Sequence, residues 1–191
     1  WGGSVDEDFT KAVEYRLSAG GITIPIEGAT ELFDCRNEHI NGLRRKFDIS
    51  RIIVGMKKLG LKLILDPMHG SAAGCIKDLL GKESEAFVKE IRSDRDPLFG
   101  GNPPEPLAKY INELIDAVKS SSTSGHTALG LVFDGDGDRI AAIDETGKYC
   151  STQLLMPLLI NHLASSKNFS GCVIKTVSGC DLMTAVAESY G

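Results

Sequence analysis

The sequence contains no run of the about eighteen apolar residues that a membrane-spanning helix requires. It does not open on a signal peptide, because Trp1-Gly2-Gly3-Ser4 has neither a basic start nor an apolar core. No basic block or stripe occurs and the net charge is -5, which argues against a nucleic-acid or anionic-membrane surface. The five cysteines, Cys35, Cys75, Cys150, Cys172 and Cys180, are odd in number and form no Cys-x-x-Cys pair. They read as free thiols of a reducing, cytoplasmic compartment, used as small buried apolar residues. The four histidines are scattered with no two at ligand spacing, so a zinc site is not expected. Internal repeats are absent, and low complexity is confined to the serine tract SSSTSG at 120–125, read as a flexible turn.

What remains is ordinary globular composition, 42% hydrophobic and 25% charged over 191 residues, enough for one full domain and part of another. A start at Trp1 rather than Met suggests a piece of a longer polypeptide. Ser4-Val5-Asp6-Glu7 fits a capping box opening a helix whose stripe is Phe9, Val13 and Leu17 and which stops at Gly20-Gly21. Residues 22–35 read as a connector with a short extended piece at Glu31-Leu32-Phe33.

From residue 36 a regular alternation begins. Helices are predicted over 37–46 and 48–59, the second with Ile49, Ile52, Ile53 and Met56 at helical spacing. Strands are predicted at 61–65 and 86–88, separated by a Gly/Ala-rich loop and a helix ending near Gly81. Pro103-Pro104-Glu105-Pro106 is read as the start of a helix over 105–119 with Leu107, Ile111, Leu114 and Val118 inward. Strands 129–133 and 139–144 follow, then helix 152–164, strand 172–177 and helix 181–190. Strands alternating with helices predict an α/β fold with a mainly parallel, mixed sheet and helical crossovers. The boundaries expected are 1–35 as the tail of a first domain, 36–150 as a complete domain and 151–191 as the truncated start of a third.

Within that frame FDGDGDRIAAID, residues 133–144, sets Asp134, Asp136 and Asp138 two apart, with Arg139 next. Like charges this close need a compensating cation. Three carboxylates offer hard oxygens suited to Mg²⁺ or Ca²⁺ and ill suited to zinc. The intervening glycines let the backbone curl until alternate side chains converge. An arginine fork beside such a metal site is equipment for phosphoryl transfer.

Three rivals compete. A surface hairpin would use one Asp-Gly turn and has no need of three acids. An EF-hand loop matches Asp134, Asp136, Asp138 and Glu145 by count, but it requires glycine where Arg139 stands, and helices where LGLVF and IAAID read as strands. A haloacid-dehalogenase-like phosphatase would make Asp134 nucleophile and Asp136 general acid, yet expects Thr or Val after Gly137.

LVFDGDGDRIAAIDETGK resembles the metal-binding loop of the α-D-phosphohexomutases, the phosphoglucomutases and phosphomannomutases and their phosphoglucosamine relatives. The neighbouring DPMHGSAAG resembles the turn that opens the family's second domain, RDPLFGGNPPEP the approach to its metal-loop strand, and VIKTVSGCDLMTAVAESYG the start of its third domain. The resemblance implies a four-domain, Mg²⁺-dependent enzyme, most similar to bacterial-type phosphoglucomutases. A phosphoserine and a bisphosphate intermediate would interconvert a hexose 1-phosphate and a hexose 6-phosphate, expected here to be glucose phosphates. It implies Asp134, Asp136 and Asp138 as metal ligands, Arg139 as a phosphate contact and Lys175 as a basic group of the third domain. The phosphoserine loop, sugar loop and phosphate clamp of that family have no counterpart among these residues, so this segment alone is expected to be inactive. A stand-alone metal- or phosphosugar-binding module is the reading from a different class, and helix 4–19 and residues 151–191 would then expose apolar faces. His69 is read as a structural turn histidine, and Arg92, Asp94 and Arg95 as a solvated or inter-domain charge cluster.

Overall fold

The computed structural model describes residues 5–20, 28–123 and 126–191. It divides into two units, residues 1–34 and 35–191.

The first unit carries helix α1, Glu7–Ser18. Its cap is Asp6, whose carboxylate accepts from the Phe9 amide at 2.9 Å, two residues later than the expected capping box. Ser4 lies outside the described residues. Glu7 and Asp8 in the first turn and Arg16 in the last complement the helix dipole. Phe9, Val13 and Leu17 are all exposed. Residues 31–33 form no strand, and Leu32 and Phe33 are exposed.

The second unit is an α/β/α sandwich around a five-stranded mixed sheet. In chain order it contains α2 (Cys35–Lys46), α3 (Ile49–Leu59), β1 (Leu61–Asp66), α4 (Cys75–Leu80), β2 (Val88–Glu90), α5 (Asn112–Thr123), β3 (Thr127–Phe133), β4 (Ile140–Ile143), β5 (Tyr149–Cys150), α6 (Thr152–Lys167) and α7 (Asp181–Glu188). The strand order is β2-β1-β3-β4-β5. The first three strands are mutually parallel, while β4 and β5 return antiparallel. The mixed sheet predicted by the alternation is therefore present. The two-residue strand β5 is an addition to it.

Period-two alternation along β1 and β3 sorts residues to the two faces. Ile64, Ala128 and Val132 meet Ile111, Leu114 and Val118, forming one core beneath α5. Leu65 and Val88, with Leu131 and Phe133 partly buried, meet Met56 of α3 and Leu80 of α4 on the other face. Gly130 lies where α5 comes closest. A Cβ there would fall 2.9 Å from Val118 Cγ2 and 3.1 Å from Leu114 Cδ1. A side chain there would press on those α5 residues and on Ile143, whose Cβ would lie at 3.0 Å.

Several predicted boundaries move for physical reasons. The helix expected over 105–119 begins only at Asn112, after one 3₁₀ turn at Ala108–Tyr110. Asn102, Pro103 and Glu105 each precede a proline, which disfavours the helical region. The carbonyls of this stretch are engaged elsewhere: Pro104 accepts from the Gly135 amide at 3.1 Å and Pro106 from the Tyr149 hydroxyl at 2.8 Å. Leu107 is exposed in consequence. At its other end α5 runs through Ser120, Ser121 and Ser122, expected as a turn, while Ser124 and Gly125 lie outside the described residues.

Residues 172–177 form no strand, and Ile174 is 92% exposed. A strand requires a neighbour to receive its backbone hydrogen bonds, and the described residues supply none. The five cysteines are free, but none is buried as expected. Four stand at or beside an element end, Cys35 and Cys75 opening α2 and α4, Cys150 closing β5 and Cys180 preceding α7, while Cys172 lies in the connection between α6 and α7.

Candidate functional site

Strand β3 runs beside the parallel β1 and ends at the same edge of the sheet, with Val132 opposite Asp66. This carboxyl-terminal edge is where open α/β sheets place their ligands. The antiparallel return to β4 pairs Phe133 with Ile140, leaving Asp134 to Arg139 as a tight connection. Its backbone is closed by the Asp134 amide donating to the Arg139 carbonyl at 3.2 Å and the Gly137 amide donating to the Asp134 carbonyl at 3.2 Å. Gly137 takes φ +81°, the left-handed region open to glycine.

The three carboxylates converge as the spacing predicted. One oxygen from each of Asp134, Asp136 and Asp138 lies within 4.8 Å of the others, with Asp134 buried and the other two exposed. Arg139 serves Asp134 twice: its amide donates to Oδ1 at 3.0 Å and its Nε to Oδ2 at 2.6 Å. The Arg139 side chain is nonetheless 57% exposed, with Nε 3.6 Å from Asp138 and Nη1 4.0 Å from Glu105.

The electrostatics follow from this asymmetry. Burial alone would raise the Asp134 carboxyl, but hydrogen bonds from the Arg139 amide and guanidinium and from Asp138 outweigh it and hold the group below the usual carboxylate range. Asp138 is pushed up by its hydrogen bond to Asp134 and by the charges of Asp136 and Asp134. The Arg139 guanidinium is held further up by its bond to Asp134. One carboxylate is satisfied by protein and the other two face solvent. A hard cation suits that donor set.

The loop is gripped from two sides at Gly135. The Ser71 amide donates to the Gly135 carbonyl at 2.9 Å, and the Gly135 amide donates to Pro104. The approach is backbone against backbone, since a Cβ on Gly70 would lie 2.5 Å from the Gly135 oxygen. Gly70 belongs to a turn containing Met68 at φ 49° and His69 at φ 62°. Left-handed backbone costs a non-glycine residue roughly 1–3 kcal/mol and persists only where the surroundings impose it.

Those surroundings include a pair that the sequence reading did not identify. Asp66 is fully buried at the end of β1 and is bound through both oxygens by the Arg92 fork, Nε to Oδ1 at 3.0 Å and Nη2 to Oδ2. Arg92 is thus no solvated surface charge, its side chain being only 12% exposed. An acid closing an apolar strand just before Pro67 was the available signal, but its partner lies 26 residues away. Arg95 is exposed as expected, and Asp94 is largely so, although it approaches His69.

His69 is nearly buried, with Nδ1 3.1 Å from the Asp94 carbonyl and 3.3 Å from its carboxylate. It borders a cavity of about 460 Å³ that reaches Arg36, Ser71, Arg95, Phe99 and Gly135. Lys175 stands elsewhere. Its amine donates to the Gly179 carbonyl at 2.9 Å and lies 3.6 Å from Asp181. Among the described residues, none of its hydrogen bonds or ion pairs reaches the acidic loop.

Residues 37–147 match the family description "Phosphoglucomutase/phosphomannomutase, alpha/beta/alpha domain II". Curated proteins with similar sequences include the phosphoglucosamine mutase of Methanococcus vannielii, 27% identical over 152 residues, covering 80% of this chain and 33% of that protein. The phosphoglucosamine/phosphogalactosamine mutase of Sulfurisphaera tokodaii is 30% identical over 154 residues, 80% of this chain and 32% of that one. Among solved structures, a phosphoglucomutase/phosphomannomutase family protein from Burkholderia thailandensis superposes with TM-score 0.66 at 20% identity, covering 96% of this chain and 38% of the other. At that identity the likeness concerns the fold alone. The chain spans about a third of the length of the curated relatives it matches.

Proposed function

We propose, from the premise that this chain belongs to the phosphoglucomutase/phosphomannomutase family, that its Asp134–Arg139 loop is the Mg²⁺-holding element of a phosphohexomutase. The observation that carries the reading is the convergence of three carboxylate oxygens within 4.8 Å beside an arginine anchored on one of them. Asp134, Asp136 and Asp138 would hold the ion. When bound, Mg²⁺ offsets negative charge on a transferring phosphoryl group and fixes its orientation.

The chain's own residues supply the rest of the site's logic. Anchoring Arg139 through Nε orients its guanidinium and leaves the remaining donors available to a phosphate oxygen. Pairing Arg139 with buried Asp134 keeps that aspartate anionic, while Asp136 and Asp138 face the incoming cation. Lys175 is proposed as a second cationic contact for the sugar phosphate. Residues 1–35, 36–150 and 151–191 are proposed to correspond to the end of a first domain, a whole second domain and the opening of a third. The phosphoryl-carrying serine and the sugar-reading loop would belong to other parts of the complete polypeptide, in a cytoplasmic setting that suits free thiols.

The proposed reaction moves phosphate between the 1- and 6-oxygens of a hexose. The relatives' names favour glucosamine phosphate over the glucose phosphate expected from sequence. Phosphorus NMR of the complete polypeptide with Mg²⁺ and either glucosamine 6-phosphate or glucose 1-phosphate tests both. A 1/6 interconversion that disappears in Asp136→Asn supports the mutase. Inorganic phosphate as the product would instead support the phosphatase reading.

A further inference from the structure

We propose that Arg92, acting with Asp66, is a positioning residue for the Asp134–Asp138 loop: the buried pair holds the Met68–Ser71 turn in the one shape that grips Gly135. The inference rests on the metal-site reading above.

Three observations connect the pair to the loop. First, the pair controls both left-handed residues of the turn. Asp66 Oδ1 accepts from the Met68 amide at 3.0 Å, and the Arg92 carbonyl accepts from the His69 amide at 2.7 Å. Second, Arg92 is itself fixed at three points. Its fork spans both Asp66 oxygens, its Nη1 donates to the Tyr110 carbonyl at 3.2 Å, and its backbone sits at φ 47°. Third, the turn delivers that order directly onto the metal loop. The Gly70 amide donates to Pro67 at 2.7 Å, and the next amide, that of Ser71, donates to Gly135 at 2.9 Å. Met68, His69 and Arg92 are three of the five described non-glycine residues with positive φ, and one hydrogen-bonded network restrains all three. A pair serving stability alone would have no need to end on strained backbone beneath the acidic loop.

Lysine at position 92 keeps the charge but cannot span both carboxylate oxygens and a carbonyl. Calorimetric Mg²⁺ titration, with the amide resonances of Gly135 and Gly137 recorded without metal, tests the proposal on the complete polypeptide. Arg92→Lys should shift both resonances and weaken Mg²⁺ binding by roughly tenfold, the lower end of what losing a direct partner of a metal ligand costs, because Arg92 acts through the turn. Gly70→Ala leaves the buried pair intact and should reproduce both effects, and the double variant should be no weaker than the weaker single.

An Arg92→Lys protein that melts earlier yet keeps wild-type resonances and affinity overturns the proposal. If Arg92→Lys does not fold, Gly70→Ala decides: unchanged resonances and affinity in that variant reject the turn as the link. Should the wild type take up no Mg²⁺ while Arg92→Lys still moves Gly135, the positioning stands and the metal-site reading fails.

Discussion

Two connections in the second unit were expected to carry functional charge, and the structure treats them oppositely. The one after β3 is held at the main chain of Asp134, Gly135 and Gly137, with its first side chain buried. The one between α6 and α7, residues 168–180, leaves Ile174 and Val177 exposed. It is tied by the Gln153 amide, which donates to the Ser178 carbonyl and accepts from the Cys180 amide, each at 2.9 Å. The first connection joins paired strands that already sit on a two-sided core. The second contains the β-rich string CVIKTV, with no strand beside it among the described residues. Charge is placed accurately where the neighbouring backbone is already committed, and loosely where it is not.

The largest test of that contrast concerns packing. Leu114→Ala, in the fully buried core under β3, should cost about 2–5 kcal/mol in denaturant unfolding. Ile174→Ala should stay within about 0.5 kcal/mol. Comparable losses at the two sites would erase the distinction between the regions.

A second test sharpens it at the level of ligand binding. Asp136→Asn should lower Mg²⁺ affinity about tenfold or more, whereas Lys175→Ala, whose contacts are Gly179 and Asp181, should leave it within about twofold. Equal losses by titration calorimetry would place Lys175 in the acidic loop's field.

The smallest effect belongs to the β4–β5 turn. The Thr146 hydroxyl, then the Lys148 and Thr146 amides, hold Asp144 below the ordinary carboxylate range. A depressed folded value stabilises above the unfolded pKa of about 3.9 and is lost as pH falls through the folded one. Melting temperature should therefore drop more between neutral and strongly acidic pH in the wild type than in Asp144→Asn. Parallel curves would show that the turn contributes nothing to acid stability.

Much of this architecture was readable from residue order. The short apolar strings LKLIL and LGLVF placed β1 and β3, and FDGDGDR placed the acidic convergence, because both depend on neighbours within a few positions. The prolines at 103–106 misled: proline fits the first turn of a helix, but three residues that each precede a proline favour an extended arm, which the distant Gly135 and Tyr149 then hold. The pairing of Asp66 with Arg92 was illegible for the same reason. Nothing local marks a carboxylate and a guanidinium as partners across 26 residues.

The double grip on Gly135 has a consequence in time. A loop whose main chain is pinned by Ser71 on one side and Pro104 on the other has little conformational searching to do when an ion arrives. Were Mg²⁺ the ion held there, the slow event would be the one intrinsic to it, the shedding of tightly held water. Seating the ion would be paced by solvent chemistry rather than by protein motion, and a faster-exchanging divalent ion of similar size should load the same loop sooner.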